Sequence, residues 1–162
     1  MPVWLAIKDV TLFLLALYGA ALSTFNWRQS VRKERRIVQV KASTAIPSYG
    51  DELGGTFAKI EATNIGHRPV TVSTLAFKLP SGLRLYSVAD NSLPGIQDTR
   101  LPATLSDGET AHLFMSYQDI GGALIQSGRT GKTKIVPVCE DTAGGIYEGE
   151  SWDVDPAEFS QM

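Results

Sequence analysis

Cys139, His67 and His112 are the first residues to weigh for chemistry, because a thiol beside an imidazole is a nucleophile and both are zinc ligands. Their spacing favours neither use. A structural zinc takes four ligands in short paired spacings, and one cysteine with two distant histidines supplies no such pair. Cys139 follows Val136 and Val138 in an apolar run, which reads as a packed thiol. Paired carboxylates for acid–base work would have to come from Glu140-Asp141 or from Glu148 and Glu150, which read as turn and solvent-facing strand positions. Asp90, Asn91 and Asp98 match no calcium-loop spacing. Gly54-Gly55, Gly121-Gly122 and Gly144-Gly145 lack the lysine and the strand-to-helix setting of a phosphate loop. The expectation is therefore no catalytic residue, no metal, no cofactor and no enzymatic activity.

The elements that would position these residues are mostly strands. Val38, Val40 and Ala42 alternate with polar neighbours, as do Ala58, Ile60 and Ala62, then Val70 and Val72, then Leu75, Phe77 and Leu79. The change of phase between Val72 and Leu75 predicts a bulge near Ser73-Thr74. Turn signals fall at Asn64–Pro69, Pro80-Ser81-Gly82, Asp107-Gly108 and Asp141–Gly145. Asp119–Gly128 reads as a short helix with Asp119 as its N-cap. Residues 88–104 form the longest irregular connection, and the acidic tail reads as frayed. Seven or eight short strands with regular turns predict an immunoglobulin-like β-sandwich, mainly β, over residues 36–155.

The beginning of the chain has a different composition. Val10 to Trp27 carries no charge and contains Leu12, Phe13, Leu14, Leu15 and Leu17. Trp4 and Trp27 bracket the segment as interfacial tryptophans do. Crossing a bilayer takes roughly 20 residues, so the segment predicts an N-terminal transmembrane helix. A cleaved signal peptide and a buried helix of a soluble protein are the competing readings. Arg28, Arg32, Lys33, Arg35 and Arg36 follow at once, as a topology determinant in contact with lipid headgroups. The positive-inside rule then predicts a single-pass inner-membrane protein with its C-terminal domain in the cytoplasm. Up to Lys41, seven basic and two acidic residues give +5, and the remaining eight basic and fifteen acidic residues give −7. So acidic a domain argues against nucleic acid as partner.

Glu61-Ala62-Thr63-Asn64-Ile65-Gly66-His67-Arg68-Pro69-Val70-Thr71-Val72 resembles the N-x-G-x-R-P-V-T-I stretch of small uncharacterised bacterial and phage proteins. The later order, through Leu79–Gly82, Asp107–Glu109 and Glu140–Tyr147, is similar to theirs. The resemblance implies an immunoglobulin-like sandwich, often behind an N-terminal membrane helix, and carries no activity. Within the stretch, Asn64 is expected to bond the turn backbone and Gly66 to supply a positive φ.

These readings divide the chain into a membrane helix with a basic juxtamembrane segment (1–35), a β-sandwich (36–155) and a frayed tail (156–162). The expected function is a membrane-tethered binding module that recognises another macromolecule, with the lipid bilayer and an unidentified protein as partners. The alternative is a structural subunit of a membrane assembly, or a phage envelope factor, acting through its transmembrane helix. Residues 64–69 and 88–104 are the first candidates for contact.

Overall fold

Alternating residues in Phe57–Asn64 and Thr133–Asp141 build the central strands of two sheets. The structure, a computed structural model, describes residues 3–33, 36–49, 52–87, 92–93 and 96–162. They fall into two compact units, Met1–Arg35 and Arg36–Met162. The first carries helix α1 (Val3–Lys33). The second runs through β1 (Val38–Ala45), β2 (Ser48–Tyr49), β3 (Glu52–Leu53), β4 (Phe57–Asn64), β5 (Val70–Lys78), β6 (Arg84–Leu85), β7 (Ser92–Leu93) and β8 (Ile96–Gln97). It continues with β9 (Ala103–Leu105), β10 (Thr110–Ser116), α2 (Tyr117–Gln126), β11 (Thr133–Asp141), β12 (Ile146–Glu148), β13 (Trp152–Val154) and α3 (Pro156–Phe159).

One sheet has the order β1-β4-β10, all antiparallel. The other has six strands in the order β12-β11-β5-β6, with β13 also on β11 and β9 also on β5. Val38, Val40, Ile60, Ala62 and Met115 from the first meet Val72, Leu75, Phe77, Ile135 and Cys139 from the second in one core. Burial of this apolar area is the main stabilising term. Helices α2 and α3 add Ile120, Leu124 and Phe159 to the same core. Tyr117 stacks on Phe159 at 4.1 Å, and Trp152 packs edge-on against both.

The larger sheet carries two irregularities. The β5–β11 register shifts between Glu140 and Asp141, which pair with Thr74 and Val72, so Ser73 is the extra residue of a bulge. Pro137 sits in β11 where its outer partner changes, since β12 pairs Val138–Glu140 and β13 pairs Thr133–Ile135. Proline has no N–H to give a ladder, so the partner strand breaks there, leaving the Gly149 N–H bonded to the Pro137 carbonyl at 2.9 Å.

The largest departure from the sequence reading is at the start. Helix α1 forms, but among the described residues no helix is long and apolar enough to cross a membrane. Composition is the reason. The stretch Leu12–Leu22, between Thr11 and Ser23, climbs about 16 Å at 1.5 Å per residue, against about 30 Å of hydrocarbon. Thr11, Ser23, Thr24, Asn26, Arg28, Gln29 and Ser30 dilute the rest of residues 11–30. The transmembrane helix, the single-pass inner-membrane placement and the cytoplasmic orientation are accordingly withdrawn. So is the bacterial and phage membrane-protein label, since the span it implied is missing among the described residues.

Smaller corrections concern the second unit. In place of seven or eight strands and one helix, its two main sheets hold nine strands among the described residues and it carries two helices. Helix α2 starts two residues before the expected Asp119, with Ser116 as N-cap accepting from the Asp119 N–H. The tail is ordered, with α3 capped by Asp155 and Pro156 and Phe159 buried.

Candidate functional site

At one end of the β unit, Asn64 closes β4 as a fully buried side chain. Its Nδ2 donates to the carbonyls of Arg68 (2.8 Å) and Leu105 (2.9 Å), and its Oδ1 accepts from the Gly66 N–H (3.0 Å). One amide thereby fixes the β4–β5 turn and ties it to β9. The expected positive φ at Gly66 is absent, and the left-handed glycine here is Gly108, at φ 79°. Above the hub, His67 Nδ1 lies 2.8 Å from Asp107 Oδ2, an exposed pair joining the two turns.

The β11–β12 turn has a charged hub instead. Asp141 Oδ1 accepts from the N–H groups of Ala143 (2.9 Å) and Gly145 (2.7 Å), and Oδ2 accepts from the Tyr147 hydroxyl (3.0 Å). Arg36 Nη1 stands 3.9 Å from Oδ2, so Arg36, read as a headgroup contact, faces a carboxylate of its own unit. Burial works to raise the Asp141 carboxyl. Its bonds from Gly145, Tyr147 and Ala143, with the Arg36 charge, outweigh burial and hold it below its usual range. Burial and then the Asp141 charge push the neighbouring Cys139 thiol up to about 12, so it stays a protonated packing group. Burial, followed by the bond to Asp141, takes Tyr147 to about 12 as well.

Other sequence candidates are dispersed. Asp98 Oδ1 accepts from the Phe114 N–H (2.7 Å), which sets the end of the 88–104 connection along β10. Residues 88–91, 94 and 95 of that connection lie outside the described residues. His112 Nδ1 is buried without a hydrogen-bond partner among the described residues, its ring edge-on to Phe114 at 6.1 Å. Glu140 pairs with Arg84, and Glu148 with Lys78 at 2.7 Å, over the buried Ala76 and Val138 on the outer face of the larger sheet. Among the described residues no three His, Cys, Asp or Glu side chains converge as a metal set would.

One concavity of the β unit was not read from the sequence. A slot of about 380 Å³ separates β1 at Gln39–Ala42 from the stretch Glu150–Trp152. It opens because the strand beyond β12 leaves β11 at Pro137 and rejoins it only as β13. Gly149 marks the closest approach, where a methyl would overlap the Val40 carbonyl oxygen and stand 2.9 Å from Pro137 Cγ. A proline inside an otherwise strand-like run was the available signal.

In the first unit, Leu12, Phe13, Leu14, Leu15, Leu17 and Trp27 are 53–67% exposed. Leu17, Ala20, Ala21, Thr24, Phe25 and Arg28 line a shallow groove of about 460 Å³ along one helix face. Trp4, Arg32 and Lys33 lie on α1 with side chains outside the described set, and Arg35 lies outside the described residues.

No protein-family model matches the chain, and no curated protein does. A solved structure titled "X-ray structure of Northeast Structural Genomics Consortium target SoR45" aligns with it at 10% identity and a TM-score of 0.25, covering 74% of this chain and 86% of that one.

Proposed function

We propose that the chain is a binding module, attached to its partner through α1 and carrying the β unit as the part that recognises another macromolecule. The supporting observation is the apolar surface of α1. Successive helical residues point about 100° apart, so Leu12, Phe13, Leu14 and Leu15 face four directions, and all are more than half exposed. A helical stretch that is apolar on every side is stable only when covered, and a contiguous apolar surface of this kind marks an interaction site. Cover from more than one side calls for several helices.

Light scattering on the purified full chain tests this. Association above the 17.6 kDa monomer is expected, reverting to monomer in the Leu14→Glu/Leu17→Glu double variant. A wild-type chain that stays monomeric over a wide concentration range would remove the support. The groove from Leu17 to Arg28 favours a second reading, a structural subunit whose helix makes the specific contacts. Exchanging residues 3–33 for an unrelated apolar helix separates the two, since only the second reading requires this helix surface.

A further inference from the structure

Strand β1 is the edge of its sheet, and one side of it is unpaired among the described residues. Which backbone groups it leaves open follows from the register. The Asn64 N–H donates to Glu109 and its carbonyl accepts from Gly108, so even-numbered residues of β4 face β10. Odd-numbered residues therefore face β1, where Thr63 pairs with Gln39 and Glu61 with Lys41. The Ile65 N–H bond to the Ile37 carbonyl has the same parity. Val40, Ala42 and Thr44 consequently aim their N–H and C=O groups away from the sheet. Gly149 covers the Val40 carbonyl, which leaves the groups of Ala42 at the slot and those of Thr44 farther along the same edge.

Edge strands are ordinarily blunted by shortness, proline, bulges or several charges. Strand β1 has eight residues in unbroken register, no proline, and Lys41 as its sole charge. Facing it across the slot are Glu150 and Ser151, in no strand, and the half-buried Trp152. The wall at 149–152 stands over the edge, so the opening admits a narrow chain rather than the face of another sheet.

We infer that this slot is a binding site for a short extended peptide of a partner protein, which adds as a strand to β1 at Ala42 and runs on along the edge past Thr44. Strand addition draws affinity from backbone bonds and specificity from side-chain positions. The outward row Gln39-Lys41-Ser43 places one positive charge beside the added strand, so the partner carries an acidic residue level with Lys41. The site belongs to the β unit alone and is independent of how α1 attaches the chain.

The test is selection from a random decapeptide display library against the full-length chain, followed by affinity measurement with the selected peptides. Ala42→Pro removes an outward N–H without touching the β4 ladder, so the fold should survive. Acid-containing peptides weakened at least tenfold by Ala42→Pro, and shifting to basic residues against Lys41→Glu, are expected. Lys41 is exposed, so its reversal keeps the test informative if the proline variant unfolds. No selected peptide, or peptides indifferent to both changes, would overturn the site. Concentration-dependent pairing of the chain abolished by Ala42→Pro would replace the peptide with a second copy and likewise overturn it.

Discussion

Asn64 and Asp141 do the same job at different turns, and the contrast shows how charge is used in this fold. Both are buried polar side chains, and both take turn N–H groups onto a side-chain oxygen. Asn64 also donates two bonds to carbonyls, so its site needs an amide and holds no charge. Asp141 receives only donors, among them the Tyr147 hydroxyl, with Arg36 nearby, so its site needs an acceptor and holds an anion. A neutral hub leaves stability insensitive to pH. A charged one makes it depend on pH.

Giving the first site the second one's chemistry has the largest expected effect. Asn64→Asp turns two donated bonds into oxygens facing the Arg68 and Leu105 carbonyls. Unsatisfied buried groups cost about 1–3 kcal/mol each, so a loss of about 4 kcal/mol is expected in urea unfolding. The reciprocal Asp141→Asn keeps an oxygen for Ala143 and Gly145 and loses the charge facing Tyr147 and Arg36. Its expected cost is smaller, about 1–2 kcal/mol at neutral pH.

Acid titration sharpens the difference. The folded Asp141 carboxyl lies below its unfolded value, so its contribution is fully present above the usual carboxylate range, near 4, and is lost as pH falls below it. Urea midpoints from pH 7 to pH 2 should therefore converge for wild type and Asp141→Asn, and a constant gap would show that the charge is not what the turn uses. The same surroundings protect Cys139, which should resist a thiol reagent at pH 8 in the folded chain and react once unfolded. The smallest effect is at the surface. His67→Ala removes an exposed pair and should shift stability by about 0.5 kcal/mol or less.

The sequence made the strands of the β unit legible because half-buried strands print a two-residue period, and the Asn64 turn because asparagine before a glycine is specific. Two missed features had local signals. Ser116 with Asp119 three residues on is a helix-start pattern, and Asp155-Pro156 is another. The acidic tail concealed the second, since its order comes from Phe159 stacking on Tyr117, a contact no local pattern reveals. At the start, the density of leucine predicts a span, while the interrupting Thr, Ser and Asn residues leave a helix that is not apolar enough to cross a membrane. The slot depends on which strands flank Pro137, a pairing the linear order does not contain.

Pro137 has one more consequence. Glu150 and Ser151 are already released from the ladder beside them, so they can change in type without costing a strand bond. Gly149, pressed against Val40, is the fixed post, and the residues after it are the interchangeable part. Such a fold can be retuned at its opening while the core keeps one solution.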